Sequence, residues 1–242
     1  MIIETKIKTM KMNRYLSDRA DLINYLIKKR NFKSYLEIGL DNGDNYKKIQ
    51  CEHKESVDPY FSDDHNKYDL TFSGELPYEI QSLLTYRLTS DDFFDNNENI
   101  YDLIFIDGLH TEEQVGKDII NGLKCLNDNG LIVVHDCIPR SYEAQVIPRI
   151  QGEWNGTVWK AIVELTRQGL EINVWEGDYG CAIISKTNDE KLLHYPEKSN
   201  VEWAEFVNYR DKMINVIDTH TLFTLYWFNQ NKFTFQIIYG KL

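Results

Sequence analysis

Apolar positions recur along the chain with two periods, and their alternation lays out a succession of strands and helices. From Arg19 to Lys29, Leu22, Ile23, Leu26 and Ile27 fall at helical spacing, with Ser17 and Asp18 placed to cap the start. Ser34 to Ile38 predicts a strand that runs into Gly39, and Ser56 to Asp58 closes the next one. Pro59 to Leu76 is a polar loop with a short strand expected at Tyr68 to Phe72. Tyr78 to Leu84 reads as helical and Arg87 to Thr89 as a third strand. The strongest signal spans Tyr101 to Asp136. Leu103 to Ile106 ends at Asp107, and Leu131 to Val134 ends at His135 and Asp136. Between them Val115, Ile119, Ile120, Leu123 and Leu126 keep helical spacing up to the Asn129–Gly130 turn. Downstream, Thr157 to Arg167 predicts a helix with Val158, Ala161, Ile162 and Leu165 inward. Leu170 to Trp175 and Cys181 to Ser185 predict a hairpin across Glu176 to Gly180. Val201 to Ile217 has the pattern of one more amphipathic helix. His220 to Leu242 is crowded with aromatics, which predicts packing on the domain or on a second subunit as a homo-oligomer.

A strand–helix–strand unit as long as Tyr101–Asp136 forms a right-handed parallel crossover. Both strands then end on the same sheet edge, where open α/β folds bind ligands. Asp107, His110, His135 and Asp136 are therefore expected to meet in one small volume. Gly39 and Gly43 follow the first strand, where glycine permits a tight turn and close approach of a ligand to the backbone. Asp58 falls about twenty residues further on, at the next strand end, the place of ribose-binding acids in nucleotide folds. Ser90 and Asp91 either cap the short helix that carries Phe93 and Phe94 or touch an adenine edge. Trp154 and Trp159 either stack on a ring or anchor the core.

The 242 residues suffice for one α/β domain with a sizeable core. A net charge of -11 argues against nucleic acid as the main partner, because phosphate contact needs clustered Lys and Arg. No apolar run is long enough for a membrane span or a signal peptide. The four cysteines are scattered without a C-x-x-C pair, as expected for reduced thiols in the cytoplasm.

The glycine loop followed by a late hairpin, without a G-x-G-x-x-G fingerprint, resembles the Rossmann-like class of S-adenosylmethionine-dependent methyltransferases from about Lys33 to Lys186. Leu36-Glu37-Ile38-Gly39 with Gly43, Asp58, Ile106-Asp107-Gly108-Leu109-His110 and Gly130-Leu131-Ile132-Val133-Val134-His135-Asp136 carry the likeness. Within the class they are most similar to the metal-assisted sugar and small-molecule O-methyltransferases, the macrocin-type and glycan-cluster enzymes. The resemblance implies an α/β fold, a three-layer αβα sandwich whose mostly parallel seven-stranded sheet closes with an antiparallel hairpin. It places the methyltransferase domain at 33–186, between an N-terminal helical lead-in (1–32) and a C-terminal helical, aromatic-rich extension (187–242). It further implies S-adenosylmethionine held by Glu37, Gly39 and Gly43 at the methionine part and by Asp58 at the ribose, with Ser90, Asp91 and Asp107 alongside. A divalent ion, Mg²⁺ or Mn²⁺, would sit on Asp107, His135 and Asp136, with His110 as the catalytic base beside Asp107. Carboxylates with at most one imidazole favour these ions over zinc. The acceptor implied is a sugar or nucleotide-linked sugar. The chain departs from the pattern at His135, where macrocin-type enzymes carry a carboxylate, and at the looser Gly39-x-x-x-Gly43 loop. Competing readings are a metal-independent methyltransferase acting on an amine or carboxylate, a non-catalytic binding protein on the same fold, and an iron-dependent hydroxylase component.

Overall fold

The computed structural model describes residues 16–59, 78–150, 152–186, 194–195 and 199–227. Seven strands form one sheet: β1 (Ser34–Ile38), β2 (His53–Val57), β3 (Tyr101–Ile106), β4 (Leu126–Val134), β5 (Ile172–Trp175), β6 (Cys181–Ser185) and β7 (Val216–Ile217), in the spatial order β2-β1-β3-β4-β6-β5-β7. All pairings are parallel except the two that β6 makes, with β4 and with β5. The expected mostly parallel sheet with a closing hairpin is therefore what the chain forms.

Strand alternation decides which helices cover which face. Leu36, Ile38, Ile104, Ile106, Ile132 and Val134 pack with Val115, Ile119 and Leu123 of α5 (Glu112–Lys124) and with Val158, Ala161 and Ile162 of α7 (Val158–Arg167). Tyr35, Leu103, Phe105, Leu131 and Val133 pack on the other side with Leu22, Ile23 and Leu26 of α1 (Arg19–Arg30) and with Leu222 and Phe223 of α9 (Thr219–Trp227). Both faces are covered, so the central strands are continuous apolar runs and the domain has three layers. Asp18 caps α1, its side chain accepting from the Asp21 N–H.

Short helices complete the order: α2 (Asp44–Lys48) after β1, α3 (Tyr78–Gln81) and α4 (Ser90–Asn96) before β3, α6 (Tyr142–Gln145) before α7, and α8 (Trp203–Met213) before β7. Four expectations need correction. Arg87–Thr89 is not a strand: Tyr86 alone bridges to Val57, Ser56 and Thr85 bond each other through their side chains, and Thr89 turns to cap α4. The helix expected over Tyr78–Leu84 stops at Gln81. The helix expected over Val201–Ile217 breaks after Met213, because Asn215 takes a left-handed φ of 45° and sends Val216 and Ile217 into the sheet edge. Strand β4 begins at Leu126 rather than after Gly130, through a register shift between Tyr101 and Leu103. The strand expected at Tyr68–Phe72, the lead-in before Leu16 and the aromatics from Phe228 onward lie outside the described residues. No described helix is long and apolar enough to cross a membrane.

Candidate active site

The site forms where β1, β3 and β4 end. Backbone bonds from Asp107 N–H to the Ile38 carbonyl (2.8 Å) and from His135 N–H to the Ile106 carbonyl (3.1 Å) carry the sheet register one residue past its strands. Asp107 and His135 continue the parity of Phe105 and Val133, so both side chains lean toward α1. From α1, Arg19 reaches in with Nε 3.6 Å from Asp107 Oδ2. Asp136 turns the other way at a left-handed φ of 63°, a conformation that Asp tolerates better than most residues. There Asn155 donates to its Oδ1 at 2.5 Å. The loop after β3 brings His110 over the pair. Its Nδ1 lies 3.2 Å from the Trp154 carbonyl and 3.4 Å from Asp136 Oδ2, its Nε2 lies 3.3 Å from Asp107 Oδ1, and its ring stacks on Trp154 at 5.1 Å. The four side chains expected to converge do so.

Asp107, His110 and Asp136 each offer an atom within 4.8 Å of the others, a spacing suited to one cation. His135 lies just behind, with Nδ1 3.3 Å from Asp107 Oδ1 and 3.4 Å from Asp136 Oδ2. Its Nε2 is 3.6 Å from Asp178 Oδ2, in the hairpin turn. Three carboxylates (Asp107, Asp136, Asp178) face one guanidinium, so with neutral imidazoles the cluster carries two negative charges, which a divalent ion would balance. Both ring nitrogens of His135 are buried without a hydrogen-bond partner, an unmet demand of the kind that a bound ion meets. The donor set therefore fits a divalent metal. Without one, the imidazoles supply the balance. Burial opposes their charged forms, but the surrounding carboxylates outweigh it and raise the pKa of both His110 and His135. Burial would likewise raise Asp107, yet the two histidines hold it well below the usual carboxylate range.

The glycine loop abuts this cluster. Gly39 has φ 91°, and a Cβ there would lie 2.2 Å from the Asp107 carbonyl oxygen, so only glycine lets the loop close on β3. Gly43 takes φ 74° at the start of α2. Asp58 Oδ2 accepts from the N–H groups of Leu40 (2.8 Å) and Asp41 (3.1 Å), which makes this acid a clamp on the loop. Glu37 is buried, with Tyr35 and Asn45 both donating to its Oε2; burial pushes its carboxyl up to about 7. Ser90 and Asp91 begin α4 but do not cap it, since Thr89 does. Both instead accept from Gln114 Nε2 of α5, at 3.1 and 2.9 Å. Of the residues expected to bind the cofactor, Ser90, Asp91, Asp58, Gly39, Gly43 and Asp107 lie along this edge, whereas Glu37 is buried beneath it.

Residues 36–137, which hold the glycine loop, Asp58, Asp107 and the β4 end, match a family model described as a methyltransferase domain. The chain is an S-adenosylmethionine-dependent methyltransferase. No curated protein matches it in sequence. Among solved structures it is similar to the SAH-bound methyltransferase PaMTH1 of Podospora anserina, at 16% identity and a TM-score of 0.50, over 76% of this chain and 85% of that one. It is also similar to the O-methyltransferase TomG of Streptomyces achromogenes, involved in tomaymycin synthesis and solved with SAM, at 12% identity and a TM-score of 0.47, over 76% and 87% of the two chains. At such identities the likeness to PaMTH1 is one of fold.

The methyltransferase site contains residues that the sequence patterns did not single out: Arg19, Gln114, Asn155 and Asp178. Each comes from an element whose only local signal is structural, such as a helix start or a hairpin turn. Gln114 also donates to Asp118 Oδ1 at 3.0 Å, and Asp118 Oδ2 is buried without a partner. Burial raises the Asp118 carboxyl to about 6. An acid raised on folding favours the folded state only while protonated. The benefit is present below its ordinary value near 4 and is lost as pH rises through about 6. Asp118→Asn is therefore expected to stabilise the methyltransferase by about 3 kcal/mol at pH 7 and to leave it nearly unchanged near pH 4. Urea melts of both proteins at the two pH values check this; an equal gain at both would show that ionisation is not the cause.

Proposed function

We propose that this methyltransferase transfers its methyl group to a hydroxyl of a polar small molecule, with a divalent ion held by Asp107, His135 and Asp136 and with His110 as the base. The observation that carries the reading is the joint placement of two carboxylates and two imidazoles against the glycine loop that would hold the cofactor. When bound, S-adenosylmethionine supplies an electrophilic methyl group, and the divalent ion supplies the charge that eases ionisation of a hydroxyl. The chain's own residues do the rest. The Gly39–Gly43 loop, clamped by Asp58, presents backbone to the cofactor, with Ser90 and Asp91 at its adenine end. Asp107, His135 and Asp136, the last fixed by Asn155, would hold the ion. Exposure separates the two imidazoles. The His110 side chain is 18% exposed, against 6% for His135, so His110 meets an incoming acceptor. The Trp154 carbonyl takes the Nδ1–H of His110, which leaves Nε2 to accept the acceptor's proton. Trp154, stacked on this ring, also shields it from bulk water.

The sugar acceptor, free or nucleotide-linked, rests on the strand-end motifs, and a cytoplasmic location rests on the four free thiols. The test is methyl transfer from labelled S-adenosylmethionine to a panel of sugars, nucleotide sugars, catechols, amines and carboxylic acids, read by mass. Methylation of hydroxyl acceptors, abolished by EDTA and restored by Mn²⁺ or Mg²⁺, is the expected result. Turnover indifferent to chelation, or confined to amines or carboxylates, would instead favour metal-independent transfer.

A further inference from the structure

We propose that Asp178 is a positioning residue that holds His135 with Nδ1 turned toward Asp107 and Asp136, and that Arg19 holds Asp178 for this task. The inference rests on the divalent-ion reading above. His135 is buried at the end of β4 with both ring nitrogens lacking a hydrogen-bond partner, and acids flank it on both sides. Nδ1 lies 3.3 Å from Asp107 Oδ1 and 3.4 Å from Asp136 Oδ2, and Nε2 lies 3.6 Å from Asp178 Oδ2. A neutral imidazole has one N–H and one lone pair. With the proton on Nδ1, the Nε2 lone pair would face the Asp178 carboxylate. With the proton on Nε2, the N–H faces Asp178 and the Nδ1 lone pair points between the other two acids. That second arrangement sets an N–H toward a carboxylate on one edge of a neutral ring and a lone pair toward a cation on the other, once a cation lies between Asp107 and Asp136. Metal-bound histidines characteristically donate their other N–H to a carboxylate in this manner.

The hairpin turn itself aims Asp178 at the strand ends. It stands in the loop between β5 and β6 at φ 46°, followed by Tyr179 at φ 60°. Positive φ at both central positions is the geometry of a tight hairpin turn, closed here by the Gly180 N–H donating to the Gly177 carbonyl at 2.9 Å, and Asp adopts it more readily than most residues. The first residue of α1 then fixes the carboxylate twice. The Arg19 backbone N–H donates to Asp178 Oδ2 at 2.8 Å and Nη1 donates to the same oxygen at 3.2 Å, while Nε lies 3.6 Å from Asp107 Oδ2. The N-terminal helix thus ties the hairpin turn to the strand ends. An imidazole donor beside two carboxylates also shifts preference from Mg²⁺ toward Mn²⁺.

The experiment is Mn²⁺ binding to the full chain, measured by calorimetry and by the electron spin resonance of the free ion, without any acceptor. Wild type is expected to bind Mn²⁺ more tightly than Mg²⁺. Asp178→Asn is expected to weaken Mn²⁺ binding about 10- to 100-fold, with S-adenosylmethionine affinity retained as the sign of an intact fold. The nitrogen modulation on bound Mn²⁺ should diminish in the same variant. In a His135→Ala background, Asp178→Asn should cause no further loss, because it acts through that ring. Unchanged Mn²⁺ affinity in Asp178→Asn, or an equal loss with and without His135, would overturn the proposal and leave the metal reading standing. Failure of the wild type to bind either ion would overturn both.

Discussion

His110→Ala is expected to lower the turnover number for methyl transfer about 100- to 10,000-fold, the usual contribution of a positioned base. The effect should fall on kcat, with S-adenosylmethionine affinity unchanged, because the proposed mechanism puts His110 on the acceptor side and its contacts are with Trp154, Asp107 and Asp136 rather than with the glycine loop. A hydroxyl is a poor nucleophile at neutral pH, and transfer from a sulfonium needs the acceptor in line and its proton removed. Of the two imidazoles at the strand ends, His110 alone combines partial exposure with a ring oriented by a backbone carbonyl, that of Trp154. Steady-state kinetics on a hydroxyl acceptor that the wild type methylates, with calorimetry for the cofactor, give the answer. Full turnover by the variant would remove the base from the mechanism. Weakened cofactor binding as the main effect would move His110 to the other side of the site.

The second large effect is expected at Gly39. An alanine there would place its Cβ 2.2 Å from the Asp107 carbonyl oxygen and 2.7 Å from Gly108 Cα, both backbone atoms that no rotamer change can move. Its φ of 91° adds strain of about 1–3 kcal/mol for any side chain. Gly169 supplies the control, since it has the same φ of 91° after α7 with nothing within 4 Å of a built Cβ. Gly169→Ala should therefore show the strain alone, a loss of about 1–2 kcal/mol. Gly39→Ala should lose more and should also lose measurable S-adenosylmethionine binding, because relief of the clash parts the glycine loop from β3. Melting curves and cofactor titrations of the two variants separate these contributions. Equal destabilisation of both, with cofactor affinity intact in Gly39→Ala, would show that the close approach has no part in binding.

The two faces of the sheet explain why much of the site was legible in advance. Runs such as Leu103–Ile106 and Leu131–Val134 are apolar at every position because helices cover both sides, and such runs signal parallel strands. Parallel strands joined by a helix must end on one edge, so Asp107, His110, His135 and Asp136 could be brought together from their places in the chain alone. The same reasoning failed where pairing is short or side chains replace it. Tyr86 makes a single bridge, and Val216–Ile217 is a two-residue strand that helical spacing concealed.

The sequence by itself determined the crossover, the glycine turn and the four ionisable strand ends, because hydrophobic period and chain connectivity are local properties. Only the tertiary structure decided which of those groups face the same way and what stands behind them. Strand parity turns Asp107 and His135 toward α1, the left-handed turn at Asp136 sends its carboxylate to Asn155, and the hairpin delivers Asp178 to the far side of His135. Arg19 and Asp178 are 159 positions apart in the chain, and no pattern along it relates them. They meet because α1 packs across the sheet face on which β3 and β4 place their odd-numbered residues, a relation that exists only once the sheet has formed.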